Sequence, residues 1–327
     1  MVKKYVILAN SNDKTFNIPR QLLEINGEKL VARTIRLLRE NGVEDITLTA
    51  SDDRFKELDA KVYTPSSSDY NYSNGTGYWL NAFPYELLNE PVCFIWGDVY
   101  FSENAIKTIV ETESNKNLFF CTYKNSYKYY MKRHDEPLAY KVVDGKLFKK
   151  HIEICKKAKD DGIAGREPIV WELYRSMHDL DINVHRMTSD FEVINDISCD
   201  IDSRNDLERL KLMIAFEKND KEGRKYMVKL EATQEFTLAR FNELKNIQRR
   251  SIIPSDGRLL VGDTFECEKD LADYLLGGNA KRVVVARLVE IIPEELPEEP
   301  KKAPEKAEQE QKVEPKKQPK KVAKKRK

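Results

Sequence analysis

Two hydrophobic periods alternate along residues 5–123, and this alternation constrains the fold more than any other feature of the chain. "YVILA" (5–9), "DITLTA" (45–50), "VCFIW" (92–96) and "NLFFCTY" (117–123) are short apolar runs of strand length. Between the first two, "EKLVARTIRLLREN" (28–41) places Leu30, Val31, Ile35 and Leu38 on one helical face, and Gly42 supplies a left-handed stop. Ser102 can cap a second helix whose Ala105, Ile106, Ile109 and Val110 share a face. Residues 76–88 read as partly helical, with Pro84 limiting the run. "VCFIW" has no polar interruption, as in strands covered on both faces. Strands alternating with helices at this pace predict an α/β fold with a mostly parallel sheet flanked by helices.

The middle of the chain is less regular. "LAYKVVDGKLFKKHIEI" (138–154) predicts a hairpin turning at Asp144-Gly145, and residues 167–180 predict a helix. The sheet pattern returns in "FEVINDISCDIDSRNDLERLKLMIAFEK" (191–218). There Ser203 and Asp206 have capping-box spacing, with Leu207, Leu210, Met213 and Ile214 turned inward behind them. Asp200 and Asp202 thus precede a helix and face one way if the chain is extended. These patterns predict a first domain over 1–217, a polar linker "KNDKEGRK" over 218–225, and a small β-rich, SH3-like module over 226–293. Residues 294–327 are Pro, Glu, Lys and Gln with little to bury, which predicts a disordered tail.

Charge is unevenly placed. The whole chain carries +1, but residues 301–327 hold twelve Lys or Arg against four Glu. Subtracting that local excess of +8 leaves −7 on the first 300 residues. Any attraction for nucleic acid or an acidic surface therefore belongs to the tail. Five scattered cysteines without a Cys-x-x-Cys pair argue against a disulfide framework or a thiolate metal cage. "MVKKYVILANSN" has too short an apolar run for a signal peptide, and no apolar stretch reaches membrane-span length. A soluble, cytoplasmic protein is the expectation.

Two carboxylate positions carry the chemistry. Asp98 follows "VCFIW" across Gly97, and Asp200 with Asp202 precedes the last helix of the first domain. In open α/β sheets, ligands bind outside the carboxyl ends of strands. Carboxylates brought there from distant segments suit a hard divalent cation, Mg2+ or Mn2+, completed by water and phosphate. His134, His151, His178 and His185 show no metal-ligand spacing.

Residues 5–50 resemble the opening of the nucleotidyltransferases that activate sugars, sugar acids or choline phosphate, which have a glycosyltransferase-A-like fold. That family follows its first strand with a glycine-rich loop, a Pro-Lys-x-Leu phrase and a Gly-Lys-Pro-Leu stretch entering a helix. "IPRQLLEINGEKLV" (18–31) is similar to the latter two phrases. The resemblance places the family's acidic metal residue on Asp98 in "WGDVYF" and its second acidic position on Asp202 in "DIDSRNDL". It assigns Arg20 the place of a phosphate-contacting lysine. Where the family has its glycine-rich loop this chain has "NSNDKTFN" (10–17), so Asn10, Ser11, Asn12 and Lys14 become the candidate triphosphate contacts, while Asp13 adds an opposing charge. "SNGTGYWLN" (73–81) resembles the segment that senses base and acceptor, through Gly75, Gly77 and Tyr78 or Trp79. His151, Arg166 and Arg175 fall in the acceptor region.

The resemblance implies transfer of a nucleotidyl group from a nucleoside triphosphate to a phosphorylated small acceptor, with release of pyrophosphate. The alternative is a non-catalytic binding or assembly protein that retained the scaffold. "LLVGDTFECEKD" (259–270) in the second module loosely resembles bacteriophage-encoded segments, implying host cytoplasm or a virion and an assembly partner.

Overall fold

The computed structural model describes residues 2–9, 15–65, 79–122, 136–184, 190–221, 226–237, 251–252, 258–267, 271–272, 275–276 and 286–293. The first strand β1 (Lys4–Leu8) leads to a 3-10 turn (Arg20–Leu22) and a minimal hairpin, β2 (Glu24–Ile25) with β3 (Glu28–Lys29). Asn26 and Gly27 take φ of 54° and 81° at its tip, the left-handed geometry such a turn requires. Helix α1 (Leu30–Glu40) follows, then β4 (Asp45–Thr49), β5 (Lys61–Tyr63), two 3-10 turns (Trp79–Ala82 and Tyr85–Asn89), β6 (Val92–Trp96) and β7 (Val99–Phe101). The chain continues through α2 (Glu103–Glu111), β8 (Leu118–Thr122), β9 (Glu136–Val142), α3 (Gly145–Asp160), α4 (Val170–Met177), β10 (Glu192–Val193), β11 (Ser198–Asp200) and α5 (Arg204–Lys221).

Seven strands form one sheet in the order β10-β8-β9-β6-β1-β4-β5. Pairs β1–β4, β1–β6, β4–β5 and β10–β8 are parallel, while β9 runs antiparallel to both β6 and β8. The sheet is mostly parallel and flanked by helices, as the alternation of periods predicts. Its two faces are read directly from the strands. Tyr5, Ile7, Cys93 and Ile95 enter one core with α1 and α2, while Val6, Val92, Phe94 and Tyr140 enter the other with α3 and α4. The second core is aromatic: Phe83 meets Phe94 edge-on at 4.9 Å between ring centroids and Phe148 at 5.2 Å.

A four-stranded antiparallel sheet follows α5, in the order β14 (Ser251–Ile252), β16 (Thr264–Cys267), β12 (Tyr226–Ala232) and β17 (Ala286–Pro293). A short pair, β13 (Phe236–Thr237) with β15 (Arg258–Leu259), accompanies it. Leu212 and Phe216 of α5 share its core with Val228, Leu230, Phe265 and Cys267. Gly262, φ 91°, turns the chain into β16. The tail lies outside the described residues. Among the described residues no helix is long and apolar enough to cross a membrane. All five cysteines are buried.

The Asp144-Gly145 hairpin is not formed. Asp144 instead caps α3, its carboxylate accepting from Leu147 N at 2.9 Å, and the helix buries Phe148, Ile152 and Cys155. Aspartate followed by glycine suits both a hairpin turn and a helix start, and the helical spacing of these apolar residues decides in favour of the helix. Asp144→Ala should therefore cost about 1 kcal/mol in urea denaturation. Gly145→Ala should cost more, roughly 1–3 kcal/mol, because its Cβ would stand 2.0 Å from Leu88 O. Equal, negligible effects would contradict this reading of the α3 start.

Candidate functional site

The site is built where β6 ends. Gly97 N donates to Leu8 O at 2.9 Å, and a Cβ at Gly97 would come within 2.7 Å of that same oxygen. Only glycine lets the backbone of β6 close onto the end of β1 here. Asp98 then stands at the carboxyl rim of the sheet, and the chain turns into β7. Strand β7 pairs antiparallel with β11, with Val99 opposite Asp200 and Phe101 opposite Ser198. The ladder extends by one bond, Ile201 N donating to Asp98 O at 3.1 Å. Residues 97 to 101 positions apart are thereby held side by side.

Beneath the ladder lies a small core containing Phe16, Leu23, Ile25, Leu30, Tyr100, Ile197, Cys199, Ile201 and Leu210. Cys199 and Ile201 point into it, which by strand alternation sends Asp200 to the opposite side, where it is buried at 7% exposure. Asp202 follows on the amino side of α5. Its backbone N donates to Asp206 Oδ2 at 3.2 Å, and Asp206 N donates to Ser203 Oγ at 3.2 Å. The capping residues read from the sequence thus fix the backbone that carries Asp202. Its carboxylate also benefits from the positive end of the helix dipole.

Arg20 joins the two acidic positions. Its Nη1 donates to Asp202 Oδ1 at 2.6 Å and to Ile201 O at 3.1 Å, while Nη2 lies 3.4 Å from Asp98 Oδ2. The Arg20 and Asp98 side chains are each 18% exposed and Asp202 is 54% exposed, so the cluster opens to solvent on one side. Pro19 and the following 3-10 turn hold the Arg20 backbone, with Leu22 N donating to Pro19 O at 2.9 Å and Leu23 N to Arg20 O at 3.0 Å.

Arg20, Asp98 and Asp202 therefore converge, while Asp200 lies buried within the ladder beside them. Asn10, Ser11, Asn12, Lys14, Gly75, Gly77 and Tyr78 lie outside the described residues. Among the described residues no group of three or more His, Cys, Asp or Glu side chains is arranged to hold a metal ion. Two carboxylates are nevertheless a sufficient protein contribution for Mg2+, which retains water and takes further oxygens from phosphates. Asp98 and Asp202 fit that donor set.

Sequence reasoning missed two features. Gly97 is a positioning residue whose signal was only its place between an apolar strand and Asp98. Glu172, 3% exposed, accepts from Arg166 Nε at 2.9 Å, Arg175 Nη1 at 3.2 Å and Ile169 N at 2.9 Å. Arg175 also donates to Ile182 O at 2.6 Å. These bonds tie Arg166 and Arg175 to the start and end of α4.

No family model matches the sequence, and no curated protein matches it. Among solved structures, the chain is similar to the inositol-1-phosphate CTP transferase from T. maritima, at 14% identity and TM-score 0.44, covering 65% of this chain and 95% of that one. It is similar to the CTP:phosphocholine cytidylyltransferase from Streptococcus pneumoniae, at 16% identity and TM-score 0.40, covering 64% of this chain and 98% of that one. A UDP-glucose pyrophosphorylase from Acinetobacter baumanii matches at 11% identity and TM-score 0.42, over 68% and 99% of the two chains.

Two of the four histidines, His151 and His178, lie on the packed surfaces of α3 and α4. Nδ1 of His151 is 2.9 Å from Ser176 Oγ, and burial lowers its pKa, with Lys150 adding to the effect. Burial likewise lowers the pKa of His178 despite Asp190 nearby. Below about pH 6.5 the unfolded chain takes up protons that these folded imidazoles refuse, so their contribution to stability falls as pH drops from there until the lowered folded values are passed. Urea midpoints at pH 7.5 and 5.5 should differ less in the His151→Gln/His178→Gln double variant than in wild type. An unchanged difference would contradict the burial argument.

Proposed function

We propose that this protein transfers a nucleotidyl group from a nucleoside triphosphate to the phosphate of a small phosphorylated acceptor. The observation that carries the reading is the bridge from Arg20 to both Asp98 and Asp202 at the carboxyl rim of the sheet. Three charged residues from three distant segments meet where open α/β sheets bind ligands. The sequence phrases around those residues favour the same assignment.

The chemistry asks little of the protein in covalent terms. An acceptor phosphate oxygen is already anionic and attacks the α-phosphorus without a general base. The bond to the β-phosphate oxygen breaks, and pyrophosphate departs with the bonding electrons. What the site must supply is positioning and countercharge. Arg20 can turn from the carboxylates onto a phosphate and present two parallel N–H donors to it. Asp98 and Asp202 would hold the divalent cation, which when bound screens the triphosphate charge and that developing on pyrophosphate. Gly97 keeps Asp98 in place, and the Ser203–Asp206 cap does the same for Asp202.

The polar "NSNDKTFN" (10–17) in place of a glycine-rich loop is the feature that favours the alternative, a scaffold kept for binding alone. Calorimetric titration of CTP, UTP, GTP and ATP in the presence of Mg2+ separates the two. One or more triphosphates should bind, and Asp98→Asn should weaken that binding roughly tenfold or more. Binding should be followed by pyrophosphate release when a phosphorylated acceptor is supplied. Failure of every triphosphate to bind wild type would overturn the proposal.

A further inference from the structure

Arg20 stands where a cation held by Asp98 and Asp202 would have to stand, and this has a consequence for the order of events. We infer that Arg20 is an internal, displaceable countercation, a latch that keeps divalent metal out of the site until a polyphosphate draws the guanidinium away. The inference rests on the proposed nucleotidyl-transfer site and adds a regulatory property to it.

The geometry supports a latch rather than a permanent structural bridge. Nη1 makes a close contact with Asp202, 2.6 Å, and a second with the Ile201 carbonyl, whereas the approach of Nη2 to Asp98 is looser at 3.4 Å. Asp202 is more than half exposed, so the contact can be broken from the solvent side without unpacking a core. The backbones on both sides are fixed, by the 3-10 turn after Pro19 and by the α5 cap, so exchange needs only side-chain rotation. With Arg20 in place, its +1 charge balances part of the two carboxylates and repels an incoming divalent ion. A triphosphate offers the planar guanidinium a bidentate partner carrying more charge than either carboxylate. Once Arg20 has moved, Asp98 and Asp202 lose its positive charge, which raises their demand for a cation. Nucleotide and metal then bind with positive coupling, and that coupling is reciprocal.

Manganese supplies a direct readout that does not depend on turnover. Free Mn2+ is followed by electron paramagnetic resonance as it is titrated with full-length wild type, Arg20→Gln and Arg20→Lys, with no nucleotide present. Arg20→Gln should bind Mn2+ about tenfold more tightly than wild type, because the competing charge is gone. Arg20→Lys keeps the charge and should resemble wild type, which also controls for a general loosening of the fold. In wild type, the triphosphate that binds best of CTP, UTP, GTP and ATP should raise Mn2+ affinity by more than its own solution affinity for the ion explains. In Arg20→Gln that enhancement should shrink. Equal Mn2+ affinity of wild type and Arg20→Gln, with nucleotide-dependent Mn2+ uptake intact in wild type, would overturn the latch while leaving the function standing. Absence of nucleotide-dependent uptake in wild type would overturn both.

Discussion

The close of β6 onto β1 is the constraint from which the candidate site follows. Gly97 gives its N–H to Leu8 O with no room for a side chain between them, and Asp98 is delivered to the rim as a result. Strand β7 then runs back beside β11, and the bond from Ile201 N to Asp98 O extends that pairing to the acidic residues themselves. Without the ladder, Asp98 and Asp202 would belong to unrelated loops. With it, one arginine side chain reaches both. The cost of placing like charges together is met by Arg20 and by the amino end of α5.

Rigid backbone and movable charge are separated in this arrangement. The two sheet faces, with Tyr5, Ile7 and Ile95 on one and Phe94, Tyr140 and Phe148 on the other, are fully packed. The small core under the β7–β11 ladder fixes its position relative to α1 and α5. Above these layers Arg20 meets Asp98 and Asp202 through side-chain contacts that open to solvent on one side. The ion cluster of Glu172 with Arg166 and Arg175 provides a contrast. There a carboxylate 3% exposed also accepts from the Ile169 backbone, and the Arg175 side chain is equally buried. Taking such a charge out of its partners' reach would leave it unsatisfied in the interior, so that cluster holds α4 in place.

Much of the seven-stranded sheet and its flanking helices was legible in the sequence because burial on both faces leaves long apolar strands and one-sided helices. Leu30, Val31, Ile35 and Leu38 are all buried, and Ser102 caps α2 through Ala105 N at 3.1 Å as its position suggests. The reversed direction of β9 was not legible, since a strand covered on both faces carries no mark of its polarity. Asp144-Gly145 was misread because the same two residues favour a hairpin turn and a helix cap. The phrases around Arg20, Asp98 and Asp202 nominate these three residues, and the structure brings their side chains together. The convergence of Arg20 on both carboxylates depends on the β7–β11 pairing, a contact across about a hundred positions that no local pattern announces. Gly97 was visible only as half of a Gly-Asp pair, because its requirement arises from a carbonyl on another strand.

The most direct test of the account is anomalous scattering from crystals grown with Mn2+ and whichever of the four triphosphates binds. The account predicts an anomalous peak in contact with both Asp98 and Asp202, and an Arg20 guanidinium turned from the carboxylates onto a phosphate. A manganese ion bound elsewhere, or a triphosphate bound while Arg20 still bridges Asp98 and Asp202, would contradict it.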